Sequence, residues 1–161
     1  MATHTLILLR HAKSDWSGDD ADVDRPLAPR GRRQAPEAGR WLAGHVDRID
    51  VAVVSTAERA RATWDLVSAE LNGRAETRYD DDVYAASASE LLAVVRSLAE
   101  EVGTAVMVGH NPGLEELAES LTGDRTVLPT SALAVIDVEG PWRRAGDAPA
   151  VLRAAGRPPR E

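Results

Sequence analysis

"TLILLRHAKSDW", residues 5–16, sets five β-branched or aliphatic residues directly against Arg10 and His11, with Lys13 close behind. The apolar run 5–10 reads as a buried strand, followed by a polar, aspartate-rich loop through about residue 28. Similar runs recur at "DVAVVS" (50–55), "TAVMVG" (104–109) and "ALAVIDV" (132–138), with a short strand expected at 75–79 and a last one within 149–154. Between them lie amphipathic stretches. Residues 31–46 place Ala35, Ala38, Leu42 and His45 or Val46 on one helical face. Helices are also expected over 57–71, over 87–102 with Ser89 as N-cap, and over 113–123, closed by Gly123. Alternating strands and helices predict an α/β three-layer sandwich, with helices on both faces of a mostly parallel sheet. No repeat or linker interrupts the pattern, so residues 1–161 are expected to form one domain, with 155–161 a frayed tail.

Composition bounds the function. With 161 residues, 43% of them hydrophobic and 28% charged, the chain reads as a globular domain with a core of its own. It has no cysteine, which excludes disulfides and thiol catalysis. The apolar run before Arg10 is too short for a secretion signal or a membrane span, so a cytoplasmic protein without membrane partners is expected. A net charge of −7 argues against nonspecific nucleic-acid binding. The acidic charge is uneven: Asp15, Asp19, Asp20, Asp22 and Asp24 crowd one loop, and Asp80, Asp81 and Asp82 form a second knot. Because 18 of the 19 basic residues are arginine, an arginine carries information only beside other chemistry.

In open α/β sheets ligands bind beyond the carboxyl ends of the strands. After the first strand come Arg10 and His11; after the second comes "STAERARAT", with Ser55, Thr56 and Arg59; after "TAVMVG" comes "HNPG", with His110. Singly, each has a plain structural reading: a hydrogen-bonded loop histidine, a solvated arginine, a serine or threonine N-cap. Three strand ends delivering such residues to one edge is a different matter. Cationic donors and two helix N-termini around one point suit a phosphate dianion. A neutral imidazole there attacks phosphorus and forms a phosphohistidine intermediate. Neighbouring arginines disfavour the imidazolium and neutralise the transferring oxygens, so no metal or other cofactor is required. A zinc site built from His11, His110 and aspartates is disfavoured because Arg10 would repel the cation.

These stretches resemble the histidine phosphatase superfamily. "LILLRHAKS" is similar to its Arg-His-Gly signature, "VVSTAERARAT" to its second motif with Arg59 and Thr63, and "VMVGHNPG" to its late Gly-His motif. "DRPLAPRGRRQA" (24–35) and "TSALAVIDV" (130–138) look like segments of the SixA-type phosphohistidine phosphatases. The resemblance runs from Thr5 to Val138 and implies a phosphoglycerate-mutase-like fold without a large cap insertion. It implies His11 as the phosphorylated nucleophile, Arg10, Arg59 and His110 as phosphate-binding residues, and Arg25 near the pocket mouth. Two positions depart from the pattern: Ala12 replaces the usual glycine, and Thr56 stands where proline is common. Ala12 is tolerated if its φ is negative.

Members that cleave phosphate esters use a carboxylic acid to protonate an alkoxide of high pKa. Asp82 is the nearest match here and Glu58 the other candidate, but three consecutive aspartates read rather as a solvated turn. Phosphohistidine needs less help, because an imidazole leaves easily. The expected activity is therefore a metal-independent phosphatase acting on phosphohistidine of a signalling or phosphotransfer protein. The alternatives are a phosphatase of small phosphomonoesters and a non-catalytic phosphoprotein-binding module; an intact Arg10-His11 pair disfavours the latter. Trp16 is read as cover for the core, with lining of the pocket rim as the alternative, and His4 and His45 as surface or helix-end residues.

Overall fold

The computed structural model describes residues 3–160. Strand β1 (Thr3–Arg10) leads through the acidic loop into helix α1 (Pro29–His45). Then follow β2 (Val51–Ser55), α2 (Glu58–Ser68), β3 (Glu76–Asp80), α3 (Ala88–Arg96), β4 (Thr104–Gly109), α4 (Gly113–Thr122), β5 (Leu133–Glu139) and β6 (Val151–Gly156). The six strands form one sheet in the order β3-β2-β4-β1-β5-β6. β3, β2, β4 and β1 pair in parallel, while β5 pairs antiparallel with β1 and with β6. Among the described residues no helix is long and apolar enough to cross a membrane.

The apolar runs are continuous because both faces of the sheet are covered. In β1, Leu6 and Leu8 enter one core with Leu91, Val95, Leu114 and Leu117 of α3 and α4. Ile7 and Leu9 enter the other, with Ala35, Leu42, Trp64 and Val67 of α1 and α2. Burying a leucine or isoleucine contributes about 1.5–3 kcal/mol, so the β1 aliphatics hold the strand firmly between the two layers. Register then sets the chemistry. Arg10 pairs with Gly109 across β1 and β4, so His11 and His110 leave the same sheet edge side by side.

Several local expectations change. α2 ends at Ser68, with successive turns closing on Ala69, Glu70 and Leu71, and α3 ends at Arg96, both short of the expected 71 and 102. The N-cap of α3 is Ser87 rather than Ser89: its hydroxyl accepts from the Glu90 N–H while the Glu90 carboxylate accepts from the Ser87 N–H, a reciprocal box. β6 continues to Gly156, so Ala155 and Gly156 pair with Ala134 and Leu133 instead of belonging to a frayed tail. Gly123 closes α4 in the left-handed conformation, as expected. His4 is no surface residue. Only 3% exposed, it pairs with the Gly140 carbonyl and packs against Trp142. Trp16 is 63% exposed and covers no core; the guanidinium of Arg25 lies 3.7 Å above its ring. His45 sits at the end of α1, stacked on Trp41.

Candidate active site

The ends of β1, β2 and β4 bring the residues of the carboxyl edge together, and the β1 end is pinned on both sides. The Arg10 N–H donates to the Ala132 carbonyl and the His11 N–H to the Gly109 carbonyl, while the His11 carbonyl accepts from the Ser131 N–H. Beyond His11 the loop stays pinned. The Ala12 N–H donates to Thr63 Oγ1 at 2.9 Å, and that hydroxyl donates onward to the Arg59 carbonyl at 2.7 Å. Thr63, fully buried, thus ties the His11 loop to the α2 turn carrying Arg59. Ala12 is fully buried and is not among the non-glycine residues with positive φ, which are Ala85 and Ser131. The methyl group therefore fits here without strain. On the other side of the loop, α1 approaches so closely that a Cβ on Gly31 would lie 2.2 Å from the Lys13 carbonyl oxygen.

The His11 ring is 7% exposed, and its Nδ1 lies 2.8 Å from the Ala12 carbonyl oxygen. A carbonyl only accepts, so this contact places the proton on Nδ1 and leaves the Nε2 lone pair free. Burial pushes the His11 pKa down to about 4, and the Arg59 and Arg10 charges act in the same direction against the pull of the Ala12 carbonyl. His110, whose ring centroid is 5.2 Å away, is pushed to about 3 by burial and by His11, Arg59 and Arg10. Both imidazoles are neutral at physiological pH. His110 Nε2 meets Ser55 Oγ at 2.7 Å, and Ser55 Oγ also accepts from the Ala57 N–H. Ser55 thus orients His110 rather than the helix alone. Thr56, at the proline position, donates to Asp81 instead of capping α2.

The cluster carries unspent capacity. Arg10 Nη1 donates to the Leu128 carbonyl, but its Nε is buried without a partner, as are His110 Nδ1, Asn111 Oδ1 and Ser131 Oγ. Such groups are rare in a folded interior; Arg10 Nε, His110 Nδ1 and the Ser131 hydroxyl can donate, which suits an anion, while Asn111 Oδ1 only accepts. Arg59, 8% exposed, completes the floor. Its Nη1 donates to the Asp22 carbonyl at 2.7 Å and its Nη2 to Asp22 Oδ2 at 3.1 Å.

Four of the six residues singled out from sequence, Arg10, His11, Arg59 and His110, converge. Arg25 stands above them on the acidic loop, donating to the Asp15 carbonyl and acting on Asp22 through its charge. Asp82 does not join them. It is exposed on a single 3-10 turn, its N–H bonded to Asp80, and lines a groove with Asp80 and Glu90 against α3. Glu58 is exposed in the first turn of α2. The carboxylate that meets the cluster is Asp22, which accepts from Tyr84 Oη as well as from Arg59, and the Tyr84 ring stands edge-on to His110 at 5.6 Å. Sequence reading saw the acidic loop without singling out Asp22, its second-last aspartate. The available signal was position, since that loop begins directly after His11. Among the described residues no group of three His, Asp or Glu side chains is set to hold a metal ion.

The comparisons agree with this geometry. Residues 6–84 match the histidine phosphatase superfamily (branch 1). An uncharacterized protein of Mycobacterium leprae is 36% identical over 149 residues, 84% of this chain and 90% of that one. A candidate phosphohistidine phosphatase SixA from Nakamurella multipartitia superposes with a TM-score of 0.85 at 31% identity, covering 97% of this chain and 96% of its own. Another, from Agrobacterium tumefaciens, has a TM-score of 0.82 at 29% identity, with 97% and 98% covered. Both support a phosphatase built on the SixA-like, cap-free form of the phosphoglycerate-mutase-like fold. With its sheet order, its paired histidines and its relatives in agreement, this chain belongs to the histidine phosphatase superfamily.

Proposed function

We propose that this protein is a phosphatase acting through a phosphorylated His11, and that its substrate is phosphohistidine on a signalling or phosphotransfer protein. One observation carries the reading: His11 donates Nδ1–H to the Ala12 carbonyl, leaving a neutral Nε2 lone pair in a pocket of cationic and neutral donors. Nε2 attacks phosphorus as the leaving group departs on the opposite side. Arg10, Arg59 and His110 hold the equatorial oxygens, with the open His110 Nδ1 and Arg10 Nε as donors toward them. Water then hydrolyses phospho-His11 and frees phosphate. The arginines neutralise the transferring oxygens, so the reading needs no metal ion.

Two features favour phosphohistidine over esters. Asp82 and Glu58 stand apart from the cluster, so neither acid candidate is placed to protonate an alkoxide. The connections among the described elements also contain no further domain over the carboxyl edge, which leaves room for a side chain presented by another protein. The solved neighbours named as SixA candidates add weight to the same substrate.

The test is phosphate release, without added metal, from a phosphohistidine-bearing protein and from a panel of phosphomonoesters. Wild type and His11→Ala are run together. Rapid release from phosphohistidine, abolished in the variant, with an acid-labile phosphoenzyme trapped in wild type, is the expected result. Turnover chiefly of esters overturns the substrate assignment. No phosphoenzyme with either class overturns the mechanism.

A further inference from the structure

Among the described residues, Asp22 is the carboxylate hydrogen-bonded to Arg59 of the cluster, and its surroundings suit it to a task other than proton donation. It stands on a single 3-10 turn above the buried floor, its side chain 49% exposed while that of Arg59 beneath is 10% exposed. Arg59 grips it twice, through the backbone carbonyl and through Oδ2, and Tyr84 Oη donates to the same Oδ2. Oδ1 makes no such bond and remains available. The ring of Tyr84, its hydrogen-bond donor, stands edge-on to His110 at 5.6 Å, which sets the carboxylate beside the histidine pair, and its charge acts on both. The Tyr84 hydrogen bond, then the Arg59 hydrogen bond and the Arg59 and Arg25 charges, hold its pKa below the usual carboxylate range. It is an anion at the pocket mouth.

In-line transfer fixes where the leaving group goes. His11 attacks from the floor, so the departing atom points outward, toward the mouth where Asp22 stands. An ester oxygen leaving there develops negative charge, which a carboxylate repels and which an ionised acid has no proton to relieve. A phosphorylated imidazole behaves in the opposite way. When its remote nitrogen carries a proton the ring is cationic, and a carboxylate favours that form through a charge-assisted hydrogen bond.

Resting on the phosphatase reading above, we propose that Asp22 is the specificity-determining residue of the site: its carboxylate accepts a hydrogen bond from the protonated ring of a leaving imidazole and so selects P–N over P–O substrates. The bond from phosphorus to the substrate nitrogen breaks as the bond from phosphorus to His11 Nε2 forms. The electron pair of the broken bond returns to the ring, which leaves as neutral imidazole with its remote N–H intact. Asp22 gives up no proton, and a water enters only in the second step.

The experiment compares kcat/KM for phosphoimidazole and p-nitrophenyl phosphate in wild type and Asp22→Asn. Asparagine keeps an oxygen to accept from Arg59 and Tyr84 and removes the charge. The ratio of the two values, phosphoimidazole over aryl phosphate, is expected to fall by about 10- to 100-fold in the variant, the effect of one charge-assisted bond. Asp22→Glu is expected to recover part of the ratio. Equal losses on both substrates would show that Asp22 only steadies Arg59, and would overturn the selection role while leaving the phosphatase reading in place. An unchanged ratio overturns it as well. Wild type forming no phosphoenzyme with either compound would instead remove the phosphatase reading, and this inference with it.

Discussion

The two ends of β1 each carry a buried histidine, and they differ in what their nitrogens do. At the start of the strand, His4 is 3% exposed, with Nδ1 bonded to the Gly140 carbonyl, Nε2 facing the Glu100 carbonyl and carboxylate, and its ring against Trp142. Just past the other end, His11 is 7% exposed, with one nitrogen bonded, the other open, and arginines on either side. Burial is nearly the same. What distinguishes a site from a strut is hydrogen-bonding capacity left unspent, gathered beside charged side chains. His4 has none to spare, whereas His11 and its neighbours have several open atoms within one cluster.

The comparison breaks most visibly under substitution at its reactive end. His11→Ala should reduce turnover by about 10⁴-fold or more, as loss of a covalent nucleophile does, while a denaturant curve shows the fold retained. Retained turnover would make His11 another strut. Acid sharpens the contrast next. The folded His11 pKa of about 4 lies below the ordinary value of 6.5, so between those values the unfolded chain binds more protons. Stability is therefore complete above about pH 6.5 and is lost as the pH falls toward 4, by about 3 kcal/mol from this residue. Urea unfolding followed across that window should give a shallower pH slope for His11→Ala than for wild type. Parallel slopes would contradict the burial argument.

Arg59→Lys comes third. Lysine keeps the charge but not the planar fork that here serves both the pocket and Asp22, so kcat/KM should drop by about 10²-fold. Steady-state kinetics at saturating and limiting substrate decides it, and an unaffected kcat/KM would remove Arg59 from the floor. The smallest effect belongs to the strut. His4→Ala should cost about 2 kcal/mol from the lost hydrogen bond and ring packing, a melting temperature lower by roughly 4–8 °C. Its turnover per folded molecule should match wild type, which calorimetry beside the activity assay would test.

Legibility followed the range of the interactions. β4 occupies the residues expected for it, and Gly123 stops α4, because hydrophobic runs and a left-handed glycine act locally. Arg10, His11, Arg59 and His110 were readable together because the ends of three buried strands, β1, β2 and β4, deliver them to one edge. His4 was misread because its cover, Gly140 and Trp142, comes from the far end of the chain. Trp16 was misread for a related reason: a large aromatic suggests a core, but the Arg25 guanidinium takes its face in the open loop. Ser87 rather than Ser89 caps α3 because Glu90, three residues on, folds back upon it, a local Ser-x-x-Glu pattern that Ser89, with Leu92 in that place, lacks.

The aspartates show where the division lies. By itself the sequence determined the layer architecture, the edge where chemistry gathers and four of its residues, since strand pattern and strand-end position are properties of neighbouring residues along the chain. Only the tertiary structure decided which acid belongs to the site. Asp22 and Asp82 look alike in sequence, each inside an acidic knot. The parallel register that brings Arg59 and Tyr84 to one carboxylate, residues 37 and 62 positions away from it, is written in the packing of two cores. No local pattern encodes that meeting, because the energy that fixes it comes from burying the sheet between its helices.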